Sequence, residues 1–279
     1  MPELPEVQTT VDGLQLILKK YIYSLTINTT KLRYKVPKKI IKLSYNRKII
    51  DIYRIAKYII IELSGKIKLI FHLGMSGRMR LIKIKDYKAI KHDHILVNLN
   101  DENILVFNDP RKFGFIDYSI NPKLEDKKYL MKLGLDPFSK TLNKKYLFNK
   151  FKYSKRTIKQ LLLDQKIIAG IGNIYACEIL FDSQISPFIP GKDLNIFMII
   201  KLIKSIRKVL KKAILHGGST LQNYSSIKGT IGNFQKKFKV YNRENERILN
   251  FKIYRIKQCG RSTFFCPEIQ KSKYNPSID

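Results

Sequence analysis

The sequence predicts an α+β protein: an antiparallel β-sandwich behind one N-terminal helix, then a helical region, then a short C-terminal β-hairpin. Three observations carry this expectation. Between about residues 21 and 118, β-branched and alternating runs are short and separated by tight Gly, Asn and Asp turns. Between about 146 and 215, apolar residues recur at helical spacing instead. After residue 238 brief strand-like runs return.

At the start, Pro5 suits the first turn of a helix and Glu6 complements the positive end of its dipole. Val7, Val11, Leu14 and Leu18 continue that helix on one face. Strands are expected over 49–63, 67–71, 79–85, 94–99 and 104–107. Gly65, Gly74-Met75-Ser76-Gly77 and Asn100-Asp101-Glu102-Asn103 punctuate them, as in a sandwich. The first domain is therefore 1–130. The pattern breaks from about 119, and 131–145, with Leu133-Gly134-Leu135-Asp136-Pro137, reads as a linker. Helices are expected over 146–153, 157–164, 174–181 and, long and basic, 194–215. The Gly/Ser/Asn-rich stretch 217–234 closes this second domain, 146–235, and reads as a mobile loop. The remainder, 236–279, is expected to form strands at 239–241, 251–256 and 263–266.

The chain has 279 residues and is 44% apolar, enough for one large or two ordinary cores. No run approaches the roughly 20 consecutive apolar residues of a membrane span, and no apolar signal-peptide core follows a basic start. Three cysteines make no even disulfide framework and fit a reducing cytoplasm. The balance of 54 Lys+Arg against 22 Asp+Glu, formally +32, repels itself unless a polyanion is near. An AT-biased genome also enriches Lys, Ile, Asn and Tyr, so part of the charge is open to a compositional origin. Nucleic acid is still the expected partner.

Met1-Pro2-Glu3-Leu4-Pro5-Glu6-Val7 carries the most specific chemistry. Removal of Met1 would leave a secondary amine beside a carboxylate. An α-amino group titrates near about 8, so part of it is neutral and nucleophilic at physiological pH. Such an amine can attack an electrophilic sugar carbon and form a Schiff base, with Glu3 handling protons. On these residues alone, Pro2 could equally serve only to permit Met1 removal. Lys57, in the run Ile55-Ala56-Lys57-Tyr58-Ile59, would share a strand face with Ile55, Ile59 and Ile61. A lysine there either lines a cleft or snorkels outward from an edge. Gly74–Gly77 presents an exposed Met75, and Asp109–Gly114 presents Arg111 and Phe113. Together these side chains could fill the gap left by a flipped base, although each segment could be a plain turn. Lys91-His92-Asp93-His94 lacks further metal ligands nearby, and His92 is better placed for a phosphate. Gly170-Ile171-Gly172-Asn173 joins two helices through a turn whose backbone N–H groups could approach a phosphate.

Taken together, MPELPEV, AKYIIIEL, HLGMSGRMR, KHDH, NDPRKFG, GIGNIYACEILF, GGSTL and GRSTFFCP resemble the bacterial formamidopyrimidine-DNA glycosylase family, in that family's order and approximate spacing. Leu4 separates the chain from the sister endonuclease VIII branch, which typically has Gly there. The resemblance implies a catalytic β-sandwich, a helix-two-turn-helix domain with a lesion-capping loop at 217–234, and a C-terminal hairpin that is normally a zinc finger. It implies Pro2 as the nucleophile, Glu3 as the acid/base and Lys57 in β-elimination and phosphate contact. Met75, Arg111 and Phe113 would fill the void opposite the lesion. His92, Arg111, Lys155 and Asn173 would contact the DNA backbone, and Arg261 would assist δ-elimination.

The zinc finger is where the chain departs from that pattern. Cys266 alone aligns with one of the family's four ligands; the others fall near Ile248, Phe251 and Ile269, and Cys259 is off register. Structural zinc wants four ligands, usually in two close pairs. The expectation is a hairpin without metal or other cofactor, packed through Ile248, Phe251, Phe264 and Ile269 and still presenting Arg261. The expected activity is removal of 8-oxoguanine and formamidopyrimidines from double-stranded DNA, followed by β,δ-elimination. The expected setting is a monomer on the bacterial nucleoid in the cytoplasm, with no membrane partner. An oxidised-pyrimidine glycosylase of the endonuclease VIII type and a non-catalytic lesion binder remain alternatives.

Overall fold

Glu3 and Glu6 start the first helix, α1 (Leu4–Leu14), by capping each other. The Glu3 carboxylate accepts from the Glu6 backbone N–H, and Glu6 Oε2 accepts from Glu3 N at 2.9 Å. Two donors that any helix N-terminus leaves unpaired are thereby satisfied. This computed structural model describes residues 2–219 and 233–277; Met1, 220–232 and 278–279 lie outside the described residues.

One compact unit comprises Met1–Met131 with Ile214–Gln235. After α1 it contains β1 (Tyr21–Ile27), α2 (Lys39–Ser44), β2 (Arg47–Ile55), β3 (Tyr58–Leu63), β4 (Ile67–His72), β5 (Arg78–Lys83), β6 (Asp93–Leu99), β7 (Asn103–Asn108), β8 (Phe115–Ser119) and α3 (Lys128–Met131). Every neighbouring pair is antiparallel, in the order β5-β7-β6-β1-β2-β3-β4-β8. Only Tyr21↔Lys48 and Ile22↔Arg47 join β1 to β2. The ladder therefore divides there into two leaves of a sandwich. Val97, Leu105 and Phe107 from one leaf share a core with Ile52, Ile61, Leu69 and Phe71 from the other. Val7, Val11 and Leu14 of α1 join that core.

The run 49–63 is two strands rather than one. Ala56 adopts a φ of 53°, and the chain reverses at Ala56-Lys57 between β2 and β3. Lys57 therefore sits in a turn and not on a strand face, contrary to the parity reading. Because the left-handed residue is Ala and not Gly, the sequence carries no turn signal there. The short helix α2 lies in the stretch read as strands.

The second unit comprises Lys132–Ala213 with Lys236–Asp279. Its elements are α4 (Lys144–Phe151), α5 (Ile158–Leu163), α6 (Asn173–Asp182), α7 (Ile196–Leu215), β9 (Arg247–Ile248), β10 (Phe251–Lys252), β11 (Tyr254–Gln258) and β12 (Arg261–Phe265). The last two residues of α7 fall in the first unit. β9 with β10, and β11 with β12, form two antiparallel hairpins. α6 is buried from Ile174 through Leu180. No helix among the described residues is long and apolar enough to cross a membrane.

Segment 239–241 is not a strand. Its backbone N–H groups all donate to the carboxylate of Glu178 on α6, Lys239 at 2.8, Val240 at 2.9 and Tyr241 at 2.8 Å. Burial holds the Glu178 carboxyl above the usual range, against the pull of those three donors. Beside this clamp, Cys177, Val240, Ile253 and Phe264 form a small core, with Phe181, Tyr241 and Ile248 against it. Of the four residues expected to close the hairpin, Phe264 and Ile248 do so. Phe251 is 44% exposed, and Ile253, two positions on, turns inward instead. Ile269 is half-buried and outside that core.

Truncating Glu178 to Ala strands three N–H donors, that of Val240 buried and those of Lys239 and Tyr241 partly buried, and a buried donor left unpaired costs about 1–3 kcal/mol. Glu178→Ala is therefore expected to destabilise the second unit by about 3 kcal/mol or more, and Phe251→Ala by less than about 1 kcal/mol. Urea unfolding of the two variants, compared with wild type, checks the contrast.

Candidate active site and nucleic-acid interface

Pro2 is buried, and Glu3 is 2% exposed at the cap of α1. The second oxygen of the capping partner reaches further. Glu6 Oε1 accepts from Ser219 N at 2.7 Å and from Ser219 Oγ at 2.9 Å. Gly218, at a φ of 72°, lies so close that an added Cβ would meet Glu6 Oε1 at 3.0 Å. Ser219 bridges Asn233, and Asn233 N donates to His216 O at 3.2 Å. One carboxylate thus joins the N-terminal residues to Ser219, the last described residue before 220–232. The core of the expected lesion-capping loop lies outside the described residues.

Lys57 is 8% exposed in its turn. Arg54 holds that turn against α1: its Nη1 donates to Ala56 O at 3.0 Å and its Nε to Gln8 Oε1 at 2.9 Å. His72, at the end of β4, accepts from Gly74 N at 3.0 Å through Nδ1 and stacks on Phe115. Burial first, then the nearby Lys57 and Arg33 cations, push the His72 pKa down to about 4. The imidazole beside Lys57 is therefore neutral at physiological pH.

The two turns expected to present void-filling side chains are locked together by Asp109, which is fully buried. Its Oδ1 accepts from Ser76 Oγ at 2.5 Å and its Oδ2 from Gly114 N at 2.7 Å. Ser76 Oγ in turn accepts from Arg111 N at 3.1 Å. The backbones press together, since a Cβ on Gly74 would lie 2.3 Å from Gly114 N. Held this way, Met75 and Phe113 are 40% and 44% exposed, and the Arg111 guanidinium lies 4.8 Å over the Phe113 ring. The three line a cavity of about 570 Å³ with Arg33 and His72. His92, at a φ of 75°, is half-buried beside His94, which is fixed by Asp109 O at 2.9 Å.

In the second unit, Asn173 opens α6 and donates from Nδ2 to Ser262 O at 2.9 Å. Its Oδ1 is buried and has no donor among the described residues. Lys159, 1% exposed, donates to the same Ser262 O at 2.9 Å and to Thr263 Oγ1 at 2.7 Å. These bonds fasten β12 immediately after the exposed Arg261. Gln165 clamps the glycine turn by accepting from Gly170 N and donating to Ile171 O, both at 2.8 Å. Lys155 is exposed ahead of α5.

The expected residues thus form two groups. Pro2, Glu3, Lys57, Met75, His92, Arg111 and Phe113 belong to the first unit, and Lys155, Asn173 and Arg261 to the second. Sequence reasoning does not single out Arg54, His72, Lys159, Gln165 or Ser219. Of these, only Lys159 leaves a signal, a lysine on the apolar stripe of a short helix.

The family profile "Formamidopyrimidine-DNA glycosylase N-terminal domain" matches residues 1–116, and "Formamidopyrimidine-DNA glycosylase H2TH domain" matches residues 133–225. A formamidopyrimidine-DNA glycosylase of Rickettsia conorii is 42% identical over 275 residues, 98% of this chain and 100% of the relative. Among solved structures, a Lactococcus lactis Fpg mutant in complex with a Fapy-dG containing DNA superposes with a TM-score of 0.90 at 32% identity. That match covers 97% of this chain and 100% of the other. The MutM (Fpg) protein of Thermus thermophilus gives 0.85 at 34% identity, covering 96% and 98%.

Because His72 takes a proton near pH 6.5 when unfolded and only near about 4 when folded, the unfolded chain binds more protons between those values. Stability is thus retained above about pH 6.5 and lost as pH falls toward 4. Across pH 6.5 to 5 the wild type should lose roughly 1.5 kcal/mol more than His72→Gln. Thermal melts of both proteins over that range provide the comparison.

Proposed function

The chain belongs to the formamidopyrimidine-DNA glycosylase family, and from that membership we propose how its own residues do the work. It is a DNA glycosylase of base excision repair with associated AP lyase activity. The substrate we assign is an oxidised purine, 8-oxoguanine or a formamidopyrimidine, in double-stranded DNA.

The observation that carries the reading is the reciprocal Glu3–Glu6 cap, which seats Pro2 at the mouth of α1 and ties it to Ser219. Freed of Met1, the Pro2 nitrogen attacks C1′ of the damaged nucleoside, and the base departs with the glycosidic electron pair and takes up a proton. Loss of the C1′–O4′ bond gives the iminium, with Glu3 serving as acid and base. The iminium makes the C2′ protons acidic. β-Elimination then breaks the 3′ C–O bond and δ-elimination the 5′ one. Lys57 serves the first elimination and Arg261 the second. Met75, Arg111 and Phe113 occupy the space that the extruded nucleotide leaves, supported by their exposure above a common cavity. His92, Arg111, Lys155 and Asn173 take backbone phosphates. We take the enzyme to act as a monomer on the nucleoid in the cytoplasm, where a formal charge of +32 favours residence on DNA.

Family resemblance implies a zinc-bound hairpin, and the donor set does not fit one. Among the described residues no group of three His, Cys, Asp or Glu side chains could hold a metal ion. The buried Cys266 instead packs its Sγ against Glu268 and its N–H against Gln270. We infer a zincless hairpin held by the Glu178 clamp and the Val240–Ile253–Phe264 core.

Borohydride reduction on an 8-oxoguanine duplex should trap a covalent adduct on Pro2. Chemical blocking of the N-terminus should abolish it, and tight lesion binding without an adduct would leave a mere binder. Glu3→Gln should slow base excision by about 10²–10⁴-fold, read by single-turnover kinetics. A thymine-glycol duplex cut faster than 8-oxoguanine would move the assignment to oxidised pyrimidines. Chelator should leave the melting temperature unchanged, and one stoichiometric zinc in purified protein would overturn the metal-free reading.

A further inference from the structure

Along the outer face of α7 runs a line of residues, Phe197, Lys201, Lys204, Lys208, Lys211 and Leu215, all exposed, with Lys212 exposed beside it. The steps of four, three, four, three and four keep them on one side of a helix. The opposite side, Ile199, Leu202, Ile203, Ile206, Val209 and Leu210, is buried. α7 contains no acidic residue at all. Among the acidic side chains of the described residues, only Asp182 pairs with the row, meeting Lys208 at 2.6 Å while also accepting from Ser205 Oγ. Lys201 donates to Gln184 at 2.6 Å. Lys204 and Lys211 have no ion pair among the described residues.

Like charges at three- and four-residue spacing destabilise a helix, and an exposed face ordinarily interleaves both signs. Four amines over about 15 Å of helix instead form a ladder of positive charge, spaced for consecutive phosphates. Within the second unit the row also stands apart from Asn173, one of the phosphate contacts assigned above. α6 meets it at Asp182, its last residue, whereas Asn173 and the Ser262 carbonyl stand at its first, about 14 Å away along the axis.

We propose that the Lys201–Lys204–Lys208–Lys211 face of α7 is a second DNA-binding surface, which holds the phosphate backbone of an undamaged duplex while the catalytic residues engage a lesion. The charge complementarity is to a polyanion. The exposed apolar side chains, Phe197 and Leu215, stand at the two ends of the row, about 27 Å apart. They make no continuous apolar band to enter a bilayer. Such a surface would let the enzyme pass between DNA segments without full release.

The proposal rests on the glycosylase reading only for the trapping step of its test. Wild-type protein reduced onto a short 8-oxoguanine duplex should still bind a second, undamaged labelled duplex in a salt-dependent way. The quadruple variant Lys201→Gln, Lys204→Gln, Lys208→Gln, Lys211→Gln should excise 8-oxoguanine within about twofold of wild type on the short duplex. It should lose the second duplex, and the slope of log affinity against log salt should fall by about three. The Arg version of the same four changes should retain binding. Equal second-duplex binding by the Gln variant, or none by trapped wild type, overturns the proposal. So does a loss confined to anionic vesicles. If no adduct forms, the glycosylase reading fails instead, and the ratio of short undamaged duplex bound per untrapped chain still decides between one site and two. Should the Gln variant fail to fold, protection of Lys204 and Lys211 from acetylation by undamaged duplex in the wild type takes its place.

Discussion

A carboxylate can leave water only when hydrogen-bond donors replace its hydration, and this protein applies that constraint at each functional turn. Glu6 collects Glu3 N, Ser219 N and Ser219 Oγ. Asp109 collects Ser76 Oγ and Gly114 N. Glu178 collects three consecutive N–H groups ahead of the C-terminal hairpins. Each fixes a segment: the helix cap beside Pro2, the paired turns that carry Met75 and Phe113, and the entry to the hairpin carrying Arg261. These acids are spent inside, and the chain's many bases remain outside to face DNA.

Much of the architecture is legible in the pattern of the chain because it depends on local spacing. The helices α4, α5, α6 and α7 and most strands fall where period and punctuation place them. What is not legible depends on partners far away in sequence. Segment 239–241 has strand-forming residues, yet its N–H groups go to Glu178, about sixty positions earlier. Lys57 reads as a strand residue because its turn is made by Ala56 rather than Gly. Phe251 reads as core because it falls where the family resemblance places a zinc ligand, whereas Ile253, two positions on, takes the inward position.

The candidate site shows the same division. Its reactive side chains announce themselves through unusual local chemistry: an imino acid behind Met1, an arginine beside an aromatic in a turn, a glycine pair ahead of a helix. The groups that hold them do not. Arg54 reaches from β2 both to the turn of Lys57 and to Gln8 of α1. Lys159 and Asn173 converge on one carbonyl of β12 although about ninety or more residues separate them from it. Such convergence is a property of the fold, and no window of sequence contains it.

The joint that carries Arg261 also has a bearing on when the enzyme is needed. Oxidants that damage guanine attack exposed or metal-bound thiolates as well, and a finger built on four of them would lose its clasp as its substrate accumulates. Here the clasp is aliphatic and aromatic. Of the chain's three thiols, Cys177 and Cys266 are buried, and burial pushes the Cys266 thiol up, away from its reactive form, whereas Cys259, in the turn two residues before Arg261, is exposed. On the metal-free reading, an oxidant reaches the hairpin at the exposed Cys259 and leaves the packed Cys177–Val240–Ile253–Phe264 core, which holds it together, untouched.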